Sequence, residues 1–176
     1  MKTILLNNFL QDKDFYITEA KNGKIFVYPT DTIYGIWAIY KKKNVKKIFE
    51  IKHRDEKKMF SIIAPNFERI EKNYQVPNPS SQLPKLLEKY HGITYIFDYK
   101  KPGVRIIKHP FQKFVKWLQE AFITTSCNIT GEPVIIDIKN IPEDIASKVD
   151  YIIDGGIGWG KPSVLIDFVS NKIIER

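Results

Sequence analysis

The stretch that decides the fold reads Lys24-Ile-Phe-Val-Tyr-Pro-Thr-Asp-Thr-Ile-Tyr-Gly35. Its first five residues form an apolar run of strand length, and Pro29 ends the run because proline lacks the N–H that a strand ladder needs. Hydroxyl and carboxylate side chains follow at once on Thr30, Asp31 and Thr32. Ligand-binding groups collect at the C-terminal ends of strands in open α/β sheets. The pattern therefore predicts a buried strand that delivers a polar loop to a site; the alternative is a tight turn closed by Asp31.

Beyond this stretch, helix and strand patterns alternate along the chain without a strict repeating unit. Apolar periodicity predicts helices over 8–22, from an N-cap at Asn44, in a lysine-rich segment that ends near His91, and over 111–121. Strand patterns cover 24–28, 60–64, 93–98, 104–107, 122–125, 150–153, 163–168 and 172–174. This alternation predicts the α/β class, with helices packed on a mixed β-sheet.

Length and composition favour one domain. The chain has 176 residues, of which 43% are apolar and 13% aromatic, so it can bury a sizeable core and differs from a disordered chain. Two domains would each fall well below the usual size of roughly 100–150 residues. We therefore expect a single domain over residues 1–176, with one main site.

The chain is basic, with 28 lysines and arginines against 20 acidic residues and a formal net charge of +8. Most of these cations are dispersed lysines, which favour a solvated surface; an electrostatic footprint for nucleic acid or polyphosphate is the alternative. Arginines, which suit bidentate recognition of phosphate and carboxylate, are scarce. They are Arg54, Arg69, Arg105 and Arg176.

Several classes of protein are excluded by what the sequence lacks. Cys127 is the only cysteine, which rules out an intrachain disulfide and a cysteine-built zinc site, and we expect it to pack as a small apolar residue. The three histidines are scattered, so we expect no metal site built by the protein. No window approaches the ~18 apolar residues of a membrane span, and no secretory signal is evident, so we expect a cytoplasmic protein. The P-loop, the Rossmann glycine fingerprint and the hydrolase nucleophile elbow are also absent.

A second polar segment, Lys52-His-Arg54, lies at the end of the helix that starts near Asn44, with Lys57 and Lys58 close behind. Alternate cations in a non-helical stretch point the same way, so Lys52 and Arg54 could clamp one polyphosphate. The alternative is that these cations simply stabilise the C-terminal end of the helix dipole.

A third polar segment, Thr124-Thr-Ser-Cys-Asn-Ile-Thr-Gly131, follows another predicted strand. Its hydroxyl and amide side chains could bind phosphate oxygens or a ribose; a capping loop before a helix is the alternative. The glycine-rich run 155–160 has no helix after it to direct at a phosphate, so we interpret it as a flexible loop.

Taken in order, the three polar segments resemble the signature of one family. Pro29-Thr-Asp-Thr-Ile-Tyr-Gly35 resembles the P-T-[DE]-T-[VI]-Y-G signature of YrdC-type threonylcarbamoyl-AMP synthases, Lys52-His-Arg54 their K-x-R motif and Ser126-Cys-Asn128 their S-x-N motif. The resemblance is collinear from about Gly23 to the end of the chain. Each motif is weak alone, but the ordered set is specific.

The resemblance implies the YrdC-like fold, a single twisted α/β domain around a concave, positively charged cavity. Members of the family make threonylcarbamoyl-adenylate and pyrophosphate from L-threonine, bicarbonate or CO2, and ATP, with Mg²⁺ at the triphosphate. A partner transferase then moves the threonylcarbamoyl group to an adenosine of tRNA. The implied partners are thus these substrates and the tRNA-threonylcarbamoyl transferase machinery, with weak tRNA binding allowed and no membrane.

The resemblance also assigns roles to individual residues. Those implied to hold threonine are Thr32, Arg105 and Thr124. Those implied to bind the nucleotide are Lys52, Arg54, Lys58, Ser126, Asn128 and Arg176, with Lys52 and Arg54 also catalytic.

Some positions depart from the family's pattern, and two other functions stay open. Asp55 stands where the family has proline, Val164 replaces a threonine, and Ile63 stands where archaeal-type members have a histidine that touches threonine, so the chain resembles the short bacterial form. The alternatives are a non-catalytic RNA-binding module of the same fold and a paralogue that acts on another carbamoyl substrate.

Overall fold

A ten-stranded mixed sheet runs through the residues that the computed structural model describes, which are 2–55, 60–76, 85–86 and 92–175. The strands are β1 Lys2–Leu5, β2 Phe26–Tyr28, β3 Gly35–Ile39, β4 Ser61–Ile63, β5 Ile93–Ile96, β6 Gly103–Arg105, β7 Phe122–Ser126, β8 Tyr151–Asp154, β9 Val164–Asp167 and β10 Lys172–Ile174. The helices are α1 Leu6–Gln11, α2 Lys13–Lys21, α3 Lys42–Lys52, α4 Phe67–Asn73, α5 Gln112–Leu118 and α6 Glu143–Ala146, with a 3₁₀ turn at Ile138–Asn140. The predicted mixed α/β class is confirmed.

The strand order places two of the polar segments side by side. The order is β1-β8-β2-β3-β7-β4-β6-β5-β9-β10, and the central neighbours β3 and β7 run antiparallel. Gly35, the first residue of β3, pairs with Ser126, the last residue of β7. The loop that enters β3 and the loop that leaves β7 therefore lie at the same edge of the sheet.

Both faces of the central strands are covered, because alternate side chains of a strand point to opposite faces. In β3, Trp37 packs in a cluster of aromatic residues with Phe26, whose ring stacks on it at 4.4 Å, whereas Ile36 packs against the helix α3 side with Ile48. Gly35 starts this strand because a Cβ there would lie 2.6 Å from the Tyr28 ring. The dense core on both faces holds the loop ends in fixed positions.

Several predicted elements differ from the observed ones. The predicted helix 8–22 is two helices, α1 and α2, with Asp12 between them. The helix α3 begins before Asn44, whose side chain does not cap it but donates from Nδ2 to the Ile39 carbonyl at 2.9 Å. Strands β1 and β3 were not predicted. The lysine-rich helix predicted to end near His91 falls largely outside the described residues.

Among the described residues, none of the helices is both long and apolar enough to span a bilayer. The longest, α3, has 11 residues, whereas a span needs about 20.

Candidate active site

A cavity of about 530 Å³ opens at the edge of the sheet where the polar loops meet. Its wall carries three cations and one carboxylate from the described residues, namely Arg54, Lys101, Arg105 and Asp98. This volume is within the usual range of roughly 300–1,000 Å³ for a small-molecule site. The excess of cations favours an anionic ligand.

The loop before β3 is folded by its own hydroxyl group. Thr30 Oγ1 accepts hydrogen bonds from the N–H groups of Thr32 and Ile33 at 3.0 and 3.2 Å and donates to the Ile33 carbonyl at 2.7 Å. Hydroxyl side chains close local turns in this way. Because Thr30 closes the turn, the alternative in which Asp31 closes it is wrong, and the Asp31 carboxylate is left to make long-range contacts.

Asp31 binds the arginine of β6. Arg105 Nη2 donates to Asp31 Oδ1 at 3.0 Å and to Thr32 Oγ1 at 3.2 Å, and the other Asp31 oxygen accepts from Lys108 N at 2.8 Å. The side chains of Arg105 and Asp31 are only 9% and 1% exposed. The resemblance assigned Thr32 and Arg105 to the same ligand, and the structure brings them together.

Arg105 also has one hydrogen-bond donor that the described residues do not satisfy. Its Nε is buried and has no hydrogen-bond partner among the described residues. A buried donor without an acceptor costs about 1–3 kcal/mol, so a structure tolerates one where a ligand supplies the acceptor. Since Arg105 lines the cavity, a carboxylate or phosphate there would complete its hydrogen bonds.

Thr124 lines the same cavity as Arg105. Its Oγ1 is 2.6 Å from the Tyr28 hydroxyl, and burial raises the pKa of Tyr28 far above the usual value for a phenol. The phenol therefore stays protonated well into the alkaline range and shares a hydrogen bond with the Thr124 hydroxyl.

The K-x-R segment divides between the interior and the cavity. Lys52 is 1% exposed, and its Nζ donates to the carbonyls of Ser126 and Asn128, each at 2.5 Å. Burial lowers the pKa of Lys52 to about 8. Arg54 lines the cavity, and its guanidinium carbon lies 5.2 Å from the centre of the Phe60 ring. Only Arg54 of this motif thus faces the cavity.

The S-x-N segment is bonded within itself. Ser126, which lines the cavity, donates from Oγ to Asn128 Oδ1 at 2.5 Å, and Asn128 Nδ2 donates to the Glu132 carbonyl at 2.6 Å. Between them, Cys127 is fully buried, and burial raises the pKa of its thiol to about 12. Cys127 packs as a small apolar residue, as predicted.

Two residues that the resemblance assigned to the nucleotide, Lys58 and Arg176, lie outside the described residues. The described part of the chain also holds no group of three or more His, Cys, Asp or Glu side chains that could bind a metal ion.

With this geometry established, comparison with known proteins identifies the family. A family model named Sua5/YciO/YrdC, with the description Telomere recombination, matches residues 19–176. A protein of Methanocaldococcus jannaschii that is provisionally named threonylcarbamoyl-AMP synthase is 34% identical over 174 residues, which cover 92% of this chain and 83% of that protein. The chain belongs to the Sua5/YciO/YrdC family.

Other relatives carry the same enzyme name or the same fold. The threonylcarbamoyl-AMP synthase of Coxiella burnetii strain RSA 493 is 24% identical over 186 residues, covering 97% of this chain and all of that protein. Escherichia coli YciO superposes with a TM-score of 0.81 at 21% identity, over 99% of this chain and 92% of that one. Pyrococcus abyssi Sua5, solved in complex with L-threonine, has a TM-score of 0.81 at 23% identity, over 99% and 56%. The predicted family and fold are both confirmed.

Sequence reasoning on this family member missed part of the cavity wall. Thr94 and Ser163 are buried, line the cavity and have hydroxyl oxygens 2.8 Å apart. Gly92 lies just before β5, which carries Thr94, and has a φ of +77°; a Cβ at Gly92 would collide with Thr32. The signal was present in the sequence, since both hydroxyls lie in segments that resemble the family, but neither was singled out.

The glycine-rich run is tethered over the polar loop. The Tyr34 hydroxyl accepts from Gly155 N at 3.0 Å and donates to the Gly156 carbonyl at 2.7 Å. Farther along, Gly158 N donates to the Ile136 carbonyl at 2.7 Å and Gly160 N to the Thr32 carbonyl at 3.1 Å. The segment is a loop, as predicted, but these hydrogen bonds hold it in place, which the glycine content did not indicate.

Proposed function

We propose that this chain is an L-threonylcarbamoyladenylate synthase, which forms threonylcarbamoyl-AMP and pyrophosphate from L-threonine, bicarbonate or CO2, and ATP. The observation that carries the proposal is Arg105, which is buried on the cavity wall with Asp31 behind it and an Nε donor still to be satisfied. Relatives that carry the same enzyme name and a Pyrococcus abyssi relative solved with L-threonine support it.

The amino-acid end of the cavity is the end at Arg105. A carboxylate matches the guanidinium in charge, and one of its oxygens would accept from the Nε donor, since Nη2 already donates to Asp31 and Thr32. Thr124 lies on the same wall, and Thr32 supports Arg105 from behind. The paired hydroxyls of Thr94 and Ser163 offer a polar surface for a small hydroxylated side chain.

The nucleotide end is the end at Arg54 and Ser126. Arg54 presents a planar cation for the triphosphate, and Ser126, at the end of β7, lines the same cavity, whereas Asn128 is buried behind it. Lys58 and Arg176 add cations in the assignment taken from the resemblance. ATP would enter as its Mg²⁺ complex, with the ion carried by the phosphates. Among the described residues the cavity wall has only one carboxylate, Asp98, which is too few to hold the ion by itself.

The reaction requires no covalent nucleophile. The neutral threonine amine captures CO2 and releases one proton to solvent to give a carbamate, and a carbamate oxygen attacks the α-phosphorus while the bond to the pyrophosphate oxygen breaks. Charge grows on the α-phosphoryl and leaving oxygens, so fixed cations such as Arg54 stabilise the transition state. Holding a short-lived carbamate next to ATP lowers the activation barrier by up to about 7–11 kcal/mol for well-oriented reactants.

The product is an activated acyl-type phosphate anhydride, which a second enzyme must consume before water does. In this proposal a transferase moves the threonylcarbamoyl group to an adenosine of tRNA, and the chain acts in the cytoplasm as a single domain of residues 1–176. The direct contacts of this chain are then with small molecules.

The proposal is tested by pyrophosphate release from Mg²⁺-ATP with and without L-threonine and bicarbonate. We expect release to depend on both. Arg105→Ala should raise the KM for threonine, and Arg54→Ala the KM for ATP, each by about tenfold or more, because each removes a charged hydrogen bond. Arg69→Ala is the matched control, since Arg69 is exposed and away from this cavity. Pyrophosphate release that does not depend on threonine, or no release at all, would overturn the assignment.

A further inference from the structure

Lys52 is surrounded by oxygen atoms of the S-x-N loop. Its Nζ lies within hydrogen-bond distance of four of them, the Ser126 and Asn128 carbonyls at 2.5 Å, Asn128 Oδ1 at 3.2 Å and Ser126 Oγ at 3.4 Å. These acceptors satisfy all the N–H donors of an ammonium group. No donor is left over for a ligand in the cavity, and Lys52 is absent from the cavity wall.

The backbone of the same residue holds the far end of that loop. The Lys52 carbonyl accepts from Thr130 N at 3.3 Å and from Thr130 Oγ1 at 3.1 Å. Lys52 is the last residue of α3, and the chain then turns through His53 with φ of +50°. The carbonyls at a helix C-terminus need such partners, and here the loop supplies them.

We propose that Lys52 is a positioning residue, which clasps the loop 126–130 to the end of α3 and so presents Ser126 to the nucleotide, while Arg54 makes the direct phosphate contact. The proposal deepens the proposed function and rests on it for the identity of the nucleotide. It differs from the role implied by the resemblance, in which Lys52 itself meets the triphosphate.

A direct phosphate contact would have to break the clasp. Lys52 would give up its carbonyl partners, and those buried carbonyls would then lack a donor, which costs about 1–3 kcal/mol each. The charge that acts on Lys52 is that of Arg54, which repels it, because burial keeps the Cys127 thiol neutral near neutral pH. Because the two cations repel each other, separate positions are favoured, with Lys52 buried under the loop and Arg54 on the cavity wall.

The clasp is first tested without any ligand, by hydrogen exchange of backbone amides in Lys52→Met. Methionine keeps the length and removes the charge. We expect faster exchange at 127–131, above all at Thr130, with the strands unchanged. Lys47→Met, on the exposed face of the same helix, is the matched control and should exchange like the parent. Unchanged exchange at 127–131 in Lys52→Met would overturn the proposal.

The ligand test separates positioning from direct contact. In Lys52→Met the affinity for ATP should fall about tenfold or more, non-additively with Asn128→Ala. Affinity for inorganic pyrophosphate, which lacks the nucleoside, should stay the same in Lys52→Met and fall in Arg54→Ala. The KM for threonine should stay the same, which a general loss of structure would not allow. Weakened pyrophosphate binding in Lys52→Met would show direct contact and overturn the proposal.

Two features keep the test decisive. If Lys52→Met does not fold, Thr130→Val removes one bond of the same clasp and should raise exchange at 127–131 to a smaller extent, with pyrophosphate affinity unchanged. If the parent releases no pyrophosphate from ATP with threonine, the proposed function fails, but exchange and pyrophosphate binding still decide whether Lys52 holds the loop.

Discussion

Asp31 shows how one buried carboxylate can control the ligand end of a site. One of its oxygens binds Arg105 and the other binds the backbone at Lys108, so the guanidinium is held between fixed partners. Charged hydrogen bonds of this kind are roughly twice as strong as neutral ones. Asp31 therefore sets the direction in which Arg105 presents its remaining donors.

Asp31→Asn tests this role. The amide keeps the shape but removes the charge, so Arg105 becomes a buried cation without its counter-ion, and stability should fall by about 3–5 kcal/mol. We expect the KM for threonine to rise about tenfold while the KM for ATP stays the same, measured by initial rates with urea unfolding in parallel. Asp144→Asn, at an exposed carboxylate of α6, is the control. An unchanged KM for threonine would contradict the role of Asp31 in orienting Arg105.

Cys127 provides a second test at the scale of one residue. Its thiol is fully buried, and burial raises the pKa to about 12, so almost no thiolate exists near neutral pH. Because the thiolate is the reactive form, we expect no alkylation of the native protein by iodoacetamide at about pH 8, and rapid alkylation in urea. Rapid labelling of the native protein would contradict the packing of the S-x-N loop.

At the scale of elements, Tyr34 connects the glycine-rich loop 155–160 to the polar loop before β3. Tyr34→Phe removes the two hydrogen bonds to Gly155 and Gly156 and leaves the ring in the core. We expect a loss of about 1–2 kcal/mol and faster amide exchange at 155–160, because each hydrogen bond contributes roughly 0.5–1.5 kcal/mol. Tyr40→Phe, at an exposed tyrosine, should change neither quantity.

The sequence pattern was sufficient to predict some of the strands but not others. Strand β2 and the polar loop after it were predictable, because a short apolar run ends at a proline. Strand β3 was missed because every residue from Gly35 to Ile39 is buried, and a strand buried on both faces lacks the alternation that signals a strand. Strand β1 was missed because its four residues bury only Ile4. Local pattern could not reveal either.

The site was predictable in its composition but not in its geometry. Arg105, Thr124, Arg54 and Ser126 do line one cavity. The inward direction of Lys52 was not predictable, because it depends on the pairing of β3 with β7, which brings a loop about 75 residues away in sequence against the end of α3. A motif states which residue types are present, whereas long-range pairing decides where each one points.

At the scale of the whole molecule, the cations behind the net charge of +8 divide between the cavity wall and the exposed surface. Arg54 and Arg105 line the cavity, and Arg69 lies exposed on α4. If the chain is an enzyme of small molecules, RNA should bind weakly, and added salt should abolish that binding at concentrations where pyrophosphate release persists. Tight RNA binding without ATP turnover would instead support the RNA-binding alternative.

Alkaline pH should destabilise the whole fold, because burial raises the pKa values of many acids that are neutral in the core. Those raised are the pKa values of Tyr16, Tyr28, Tyr34, Tyr74, Tyr95, Tyr151 and Cys127. For each, the unfolded chain releases its proton first, so the stabilising contribution is complete below the unfolded pKa and is lost as the pH rises toward the folded one.

Lys52 acts in the opposite direction over a lower range. Its pKa is lowered to about 8, so the folded state loses a proton before the unfolded state does, and its contribution to stability rises from about pH 8 to 10.5. We expect the urea midpoint to hold or rise slightly up to about pH 9 and then to fall steeply as the phenols titrate. In Lys52→Met the urea midpoint should no longer rise up to about pH 9, but it should still fall at higher pH. A midpoint that keeps rising above about pH 11 would contradict the burial of these tyrosines.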